Sequence, residues 1–200
     1  MWTITTLEDL HSLYGEPAPA SLSKVADRLT PLYTRWIEAS RFCIVSTVAE
    51  EGTDASPRGD DGPVARIADP KTILIPDWRG NNRLDTLRNL VRDPRISLMF
   101  MITGEKNVVR VNGQAVVSND PALLESFEQR GKHPATVIVI DVGEVYFQCA
   151  KAIMRSGLWV REPVEGVPTA GDLIAEMTEG RAGGREYDAT YEESAKERMW

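Results

Sequence analysis

Histidine and cysteine are scarce in this chain of 200 residues, which contains two of each. The two histidines, His11 and His133, have no Cys, Asp or Glu partners at the spacing of metal ligands, so we expect no metal site. Cys43 and Cys149 each lie in an apolar stretch, which favours two buried small side chains over a disulfide or a redox pair. This use of cysteine favours a reducing cytoplasm.

Long apolar runs are missing as well. No stretch approaches the roughly 18 apolar residues that a membrane-spanning helix needs, so we expect no membrane segment. The first residues, MWTITTLEDLHSLYGEP, contain acids and lack a basic flank before an apolar run, so we expect no signal peptide. Both features favour a cytoplasmic protein.

Positive charge is in the minority. The chain has 23 Lys and Arg against 30 Asp and Glu, and its formal net charge is −7. Nucleic acids are held mainly by clustered Lys and Arg, so this balance argues against a general nucleic-acid binder. A few arginines can still form a local anion pocket inside an acidic protein.

The chain does have the composition of a folded globular domain, with 42% apolar and 26% charged residues. Its first forty residues carry helical signals. Leu22, Val25 and Leu29 fall at helical spacing after Ser21, and Thr30-Pro31 is typical of a helix start before PLYTRWIEAS. From residue 41 onward, β-branched and aromatic runs separated by turns predict six strands: RFCIVSTVA, VARIAD, KTILIP, RISLMFMI, VVRVNGQAVV and ATVIVIDVGEVYFQCA.

Two helices are predicted within this β region. Residues 82–91 place three apolar side chains on one face, and PALLESFEQR follows an Asp-Pro cap. A short helix is expected after Cys149, and the last residues, ESAKERMW, favour a terminal helix. We therefore predict an α+β, mainly β fold resembling an antiparallel barrel or sandwich, with a helical extension (1–40), a β domain (41–160) and a C-terminal tail (161–200).

The segment IPDWRGNNRLDTLRNL is a candidate anion site. A strand ends at Pro76, a polar turn contains Gly80, and a helix is expected to begin near Asn82. A helix N-terminus exposes unpaired N–H groups and a partial positive charge that suit a phosphate, and Arg83 would add a charged hydrogen bond. Alternatively, Asn81 or Asn82 only caps the helix and Arg83 is solvated.

A second candidate is the segment GTDASPRGDDGPVARIAD, in which charged and turn residues are expected to interrupt two strands. Arg58 lies between Pro57 and Gly59. A rigid proline and a permissive glycine can aim the arginine side chain. The alternative is a surface hairpin loop with an exposed arginine.

Taken together, these segments resemble the pyridoxamine 5'-phosphate oxidase-like family, and in particular a bacterial subgroup of it. The motifs are DASPRGD, a strand ending ILIPD, GNNRLDTLRNL, DPRISLMFMI and VVRVNGQAVV, in that order over residues 41–159. The resemblance implies an FMN-binding split β-barrel over residues 41–160. It also implies a homodimer with two FMN sites at the subunit interface.

The resemblance further implies a set of cofactor-binding residues. Arg58 matches the family arginine that reaches the flavin, and Asn82 with Arg83 matches a basic pair on the phosphate, although Asn82 carries no charge. The full set from these segments is Ser56, Pro57, Arg58, Ile75, Pro76, Asp77, Asn81, Asn82 and Arg83.

Four more candidates are expected to approach the flavin from the partner subunit. Gln114 shares a strand face with Arg110, and a surface-exposed role is the alternative. Lys151 and Arg155 share a helix face. Trp159 would flank the flavin, or else anchor the core or the dimer interface.

The leading interpretation is an FMN-dependent oxidoreductase of unknown substrate, with no catalytic residue assigned. The late Arg-x-His motif of true pyridoxamine phosphate oxidases is not found, which argues against that activity. The alternatives are a non-catalytic flavin, deazaflavin or haem binding protein on the same fold, and a structural dimer with a vestigial pocket.

Overall fold

The computed structural model describes residues 2–199. Its seven strands are β1 (Phe42–Ala49), β2 (Gly52–Gly59), β3 (Arg66–Asp69), β4 (Thr72–Asp77), β5 (Arg95–Met101), β6 (Val108–Ser118) and β7 (Thr136–Gln148). Its helices are α1 (Leu7–Leu13), α2 (Pro19–Ser23), α3 (Pro31–Ala39), α4 (Asp85–Arg92), α5 (Pro121–Glu125), α6 (Lys151–Ser156), α7 (Ala170–Met177) and α8 (Gly184–Glu197).

All seven strands belong to one sheet in the order β2-β1-β5-β6-β7-β4-β3, and every neighbouring pair is antiparallel. Alternate side chains of β1 and β5 point inward, because side chains alternate between the two faces of a strand. The core includes Phe100, Ile73, Ile138 and Val111, which are all fully buried. This is the α+β, mainly β fold that was predicted.

The sheet bends where β6 meets β7. The pairing shifts register between Asn112 and Gly113, so β7 carries one extra residue there. A Cβ on Gly113 would collide with the backbone carbonyl of Asp141, which explains the glycine. Such a bulge increases local twist and helps a long sheet curl toward a barrel.

Four secondary-structure predictions need correction. A separate strand, β2, runs through the segment that was expected to be a loop. Helix α2 ends at Ser23, so the apolar spacing of Val25 and Leu29 does not mark a helix; Leu29 is instead buried in the core. Helix α5 ends at Glu125, five residues before the predicted end at Arg130. Helix α4 begins at Asp85 rather than near Asn82.

The caps of α3 and α5 agree with the sequence. Thr30 accepts a hydrogen bond from the Tyr33 N–H, and Pro31 follows at the first helical position. Asp120 accepts hydrogen bonds from the N–H groups of Ala122 and Leu123. Both arrangements satisfy N–H groups that the helix itself leaves unpaired.

The C-terminal region forms a helical hairpin, α7 and α8, that the sequence predicted only at its end. Thr169 and Asp172 make a reciprocal capping box at the start of α7. Asp188 of α8 accepts hydrogen bonds from the Thr169 hydroxyl and the Gly171 N–H. A Cβ on Gly171 would collide with α8, so this glycine allows the close approach of the two helices.

Both cysteines are free; Cys43 is buried as expected, whereas Cys149 is exposed, so the prediction of two buried cysteines is wrong for Cys149. Across residues 2–199, no group of three or more His, Cys, Asp or Glu side chains could hold a metal ion. No helix in that range has both the length and the apolarity needed to cross a membrane.

Candidate functional site

A cleft of about 1700 Å³ opens where β2 and β4 end. Its walls come from the end of β2, the loop between β4 and α4, and the first turn of α4. The loop before β7 and the end of α8 complete it. Large concave sites that combine apolar and polar lining are the usual places for small-molecule binding.

The inner wall of the cleft is a row of side chains on β2. Asp54, Ser56 and Arg58 alternate along the strand and therefore share one face. The Asp54 carboxylate accepts hydrogen bonds from the Ser56 hydroxyl at 2.9 Å and from the Thr86 hydroxyl of α4 at 2.5 Å. These bonds attach the first turn of α4 to the sheet beneath the cleft.

Arg58 forms an ion pair with Asp77 at the end of β4. Its Nη2 lies 3.5 Å from Asp77 Oδ1, and the two side chains are 22% and 19% exposed. Burial raises the pKa of the Asp77 carboxyl, while the charge of Arg58 acts in the opposite direction. A guanidinium and a carboxyl group thus face the cleft side by side.

Arg58 also lies directly across from Cys43 on β1. Burial raises the pKa of the Cys43 thiol to about 12, and the charge of Arg58 lowers it by a smaller amount. The thiol is therefore neutral at physiological pH, and only the thiolate is a good nucleophile. Cys43 consequently acts as a small core side chain.

The loop between β4 and α4 is shaped by its two asparagines. The Asn81 side chain accepts a hydrogen bond from the Arg83 N–H at 3.0 Å, which is an Asx turn. Asn82 has φ of 60°, a left-handed conformation that Asn tolerates better than most residues. Because a right-handed helix cannot include that conformation, α4 cannot begin at Asn82, and it starts at Asp85. The alternative interpretation, in which Asn81 or Asn82 only caps the helix, is therefore wrong, because the N-cap residue is Leu84.

The start of α4 is open to the cleft. Leu84 occupies the N-cap position, and no side chain of the described structure caps this helix. The cleft is lined by Leu84, Asp85, Thr86 and Leu87. Arg83, whose side chain is 80% exposed, donates from Nε to Asp85 Oδ2 at 2.6 Å, and this hydrogen bond raises the pKa of Arg83.

The cleft brings together eight of the thirteen predicted cofactor-binding residues. Ile75 is 1% exposed and belongs to the core behind the cleft, so its side chain does not line it. The eight that do line it are Ser56, Pro57, Arg58, Pro76, Asp77, Asn81, Asn82 and Arg83.

The other four predicted residues lie elsewhere on the same chain. Gln114 is exposed on the outer face of β6, between Arg95 and Asp141 of the neighbouring strands. Lys151 and Arg155 are exposed on α6. Trp159 donates a hydrogen bond from Nε1 to the Glu105 carbonyl at 2.7 Å. None of these four lines the cleft of its own chain.

Sequence reasoning missed several lining residues. Trp78 follows Asp77 directly, and its position beside a predicted site residue was the available signal. The cleft is also lined by the loop 130–133, which includes His133, and by two residues of the C-terminal region, Lys196 and Met199. These segments are distant in sequence from the other lining residues and come close to them only in the folded chain. His133 Nδ1 lies 2.6 Å from the Phe127 carbonyl, which orients the ring.

The family model of pyridoxamine 5'-phosphate oxidase matches residues 29–149, which is more than half of the chain. The protein therefore belongs to the pyridoxamine 5'-phosphate oxidase family, as the sequence motifs predicted. The matched range contains all seven strands and α4, and it ends before α6.

Solved structures with a similar chain include HupZ of Group A Streptococcus, which is 20% identical, covers 60% of this chain and 93% of its own, and has a TM-score of 0.49. General Stress Protein 26 of Bacillus anthracis is 15% identical, with 57% and 88% covered and a TM-score of 0.45. An FAD binding protein of Mycobacterium smegmatis is 12% identical, with 62% and 97% covered and a TM-score of 0.43. No curated protein matches the chain.

Proposed function

We propose that this protein is an FMN-binding oxidoreductase whose flavin lies in the cleft between β2, β4 and the start of α4. The observation that carries this proposal is the convergence of Arg58, the loop 80–83 and the uncapped start of α4 on one cleft. Membership of the pyridoxamine 5'-phosphate oxidase family makes a flavin the expected ligand class.

The phosphate of FMN suits the loop before α4. The helix start offers backbone N–H groups without a side-chain cap, together with the positive end of the helix dipole. Arg83 lies two residues before the helix and carries the charge that Asn82 lacks. Because Arg83 is bound to Asp85 in the free protein, a phosphate would compete with that carboxylate for the guanidinium.

The ring system suits the wall made by β2 and β4. Ser56, Arg58 and Asp77 offer a hydroxyl, a guanidinium and a carboxyl group to the edge of a polar heteroaromatic ring. A bound flavin supplies hydride and electron transfer, while the protein fixes its orientation and electrostatic surroundings. The charge of Arg58 would favour negative charge near the ring.

The remaining predicted residues fit this proposal only in a homodimer. Gln114, Lys151, Arg155 and Trp159 do not line the cleft of their own chain, so they would reach the flavin from a second copy. The outer face of β6 and its neighbours, which carries Gln114 and the exposed Val116, is the surface proposed for that contact.

The decisive test is the absorption spectrum of the purified protein before and after incubation with FMN and gel filtration. Retained flavin bands, with FMN bound more tightly than riboflavin, are the expected result. If a deazaflavin or FAD outcompetes FMN, the ligand of the cleft is that molecule and not FMN. A Soret band after incubation with haem would likewise identify haem as the ligand. A protein that retains none of them would refute the proposal.

A further inference from the structure

Trp78 forms part of the cleft wall, next to Asp77 and shortly before the loop 80–83. It is half-buried at the end of β4, and its side chain lines the cleft. Within the described residues 2–199, no other Trp, Tyr or Phe lines that cleft. A planar aromatic surface is the feature that a flat ring system packs against, and the cleft offers one such surface among polar groups.

The orientation of the Trp78 ring is fixed by a hydrogen bond. Nε1 donates to Asp60 Oδ2 at 2.7 Å, and Asp60 lies just after β2. The other carboxylate oxygen of Asp60 accepts a hydrogen bond from the Asp61 N–H at 2.7 Å. Both oxygens of Asp60 are therefore used, which holds the carboxylate and, through it, the indole in one position.

The position of Trp78 along the chain also fits a ligand with a phosphate at one end. Asn82 is four positions further along the chain, so the Cα atoms of the two residues lie at most about 14 Å apart even in an extended chain. On its other side it adjoins Asp77, the partner of Arg58. Along the chain, Trp78 thus lies between Asp77, whose carboxyl group is proposed for the ring edge, and the loop 80–83, which is proposed for the phosphate.

We infer that the Trp78 indole is the surface against which the flavin ring packs, and that Asp60 is the residue that positions the indole. The inference rests on the proposed function, because it assumes that a flavin occupies this cleft. It adds a binding residue and a positioning residue. A purely structural role is the competing explanation, in which the Trp78–Asp60 hydrogen bond only joins β2 to β4.

The test compares W78L and W78F with wild type, and uses W2F as the matched control because Trp2 is fully exposed and does not line the cleft. FMN is titrated while the emission of both tryptophan and flavin is recorded, and urea unfolding without FMN measures stability. Stacking on an aromatic ring contributes enough that W78L should weaken FMN binding about tenfold. W78F should weaken it less, and W2F should leave it unchanged.

The emission of bound flavin separates stacking from a structural role. In wild type, the indole should quench flavin emission at saturation; W78L and W78F should both relieve that quenching, whereas W2F should not. D60A should weaken FMN binding by releasing the ring, and D60N, which keeps an acceptor for Nε1, should restore most of it. Since W78F retains a bulky aromatic ring, it keeps the test available if W78L does not fold.

The inference is overturned if W78L and W78F bind FMN with wild-type affinity and unchanged flavin emission while wild type binds FMN. It is also overturned if W78L loses stability without any change in the emission of the bound flavin. Wild-type protein that binds no FMN refutes the proposed function itself, so the two failures are distinguishable.

Discussion

Arg58 and Asp77 form a half-buried ion pair, 3.5 Å from Nη2 to Oδ1, between two strands that are not neighbours in the sheet. Four strands, β1, β5, β6 and β7, separate β2 from β4 in the sheet order. The contact therefore requires the sheet to curl until its two ends approach each other. The hydrogen bond from Trp78 to Asp60 spans the same gap. The cleft lies between these two ends of the curled sheet, where β2 does not pair with β3 or β4 by backbone hydrogen bonds.

The pH dependence of stability should report on this pair through Asp77. Burial raises the pKa of Asp77, so the folded state binds its proton more tightly than the unfolded state does. As pH falls from neutral through the raised pKa toward the unfolded value near 4, this group should add stability; as pH rises, that contribution is lost.

The D77N variant removes this titration. Urea unfolding of wild type and D77N at pH 7 and pH 5 should show that wild type gains stability relative to D77N at the lower pH. D9N is a suitable control, because Asp9 lies on the exposed helix α1. An equal pH dependence in wild type and D77N would contradict the prediction.

The loop 80–83 leads to a prediction that depends on whether the ligand carries a phosphate. R83A should weaken FMN binding by about tenfold or more, because a charged hydrogen bond contributes roughly 1.5–3 kcal/mol. Riboflavin, which has no phosphate, should bind R83A and wild type alike. Isothermal titration with both ligands measures the difference. R28A, an exposed arginine substitution away from the cleft, is the control.

Two outcomes would contradict the assignment of Arg83. Unchanged FMN affinity in R83A would mean that the phosphate lies elsewhere. An equal loss of affinity for FMN and riboflavin would mean that Arg83 supports the shape of the loop. D85N provides a further check, since it releases Arg83 from Asp85 and should leave FMN affinity equal or stronger.

The two cysteines should differ sharply in reactivity. The pKa of Cys43 is raised to about 12 from a usual value of 9.0, which reduces its thiolate about a thousandfold at neutral pH. Cys149 is exposed. At pH 8, one thiol of the native protein should react rapidly with a disulfide reagent, and the second only after unfolding. C149S should abolish the fast phase.

The same shift gives a stability effect with a defined pH window. The pKa of Cys43 is higher in the folded state than in the unfolded state. The buried neutral thiol therefore contributes to folding stability fully below pH 9, and this contribution is lost as pH rises toward 12. C43A should show a smaller loss of stability over that window than wild type. Rapid reaction of two thiols in the native protein would contradict the burial of Cys43.

The sequence predicted those parts of the site that depend on local pattern. The alternation in RFCIVSTVA identified β1, and the turn before α4 identified the loop around Arg83. Strand β2 was missed because Gly, Asp, Pro and Arg residues are typical of turns. Its strand conformation comes from pairing with β1, in which Arg58 faces Cys43. Such pairing outweighs local preference.

Other parts of the site depend on distant segments of the chain. Lys196 lies more than a hundred residues from Arg83 in sequence and reaches the cleft through the α7–α8 hairpin. The start of α4 was predicted too early because hydrophobic spacing cannot reveal the left-handed conformation of Asn82. The order of the strands follows from long-range pairing, which no local pattern encodes.

The proposed homodimer can be tested on the outer face of β6. Val116 is 61% exposed on this face, which also carries Gln114. Burying an unpaired carboxylate in an apolar interface is costly, so V116D should convert the dimer to a monomer of 22.2 kDa. Light scattering during gel filtration measures the mass, and V164D, at a 77% exposed valine in the C-terminal tail, is the matched control. If Gln114 and Trp159 act across the interface, the V116D monomer should also bind FMN more weakly. A V116D variant that keeps both the dimeric mass and its FMN affinity would move the interface away from this face.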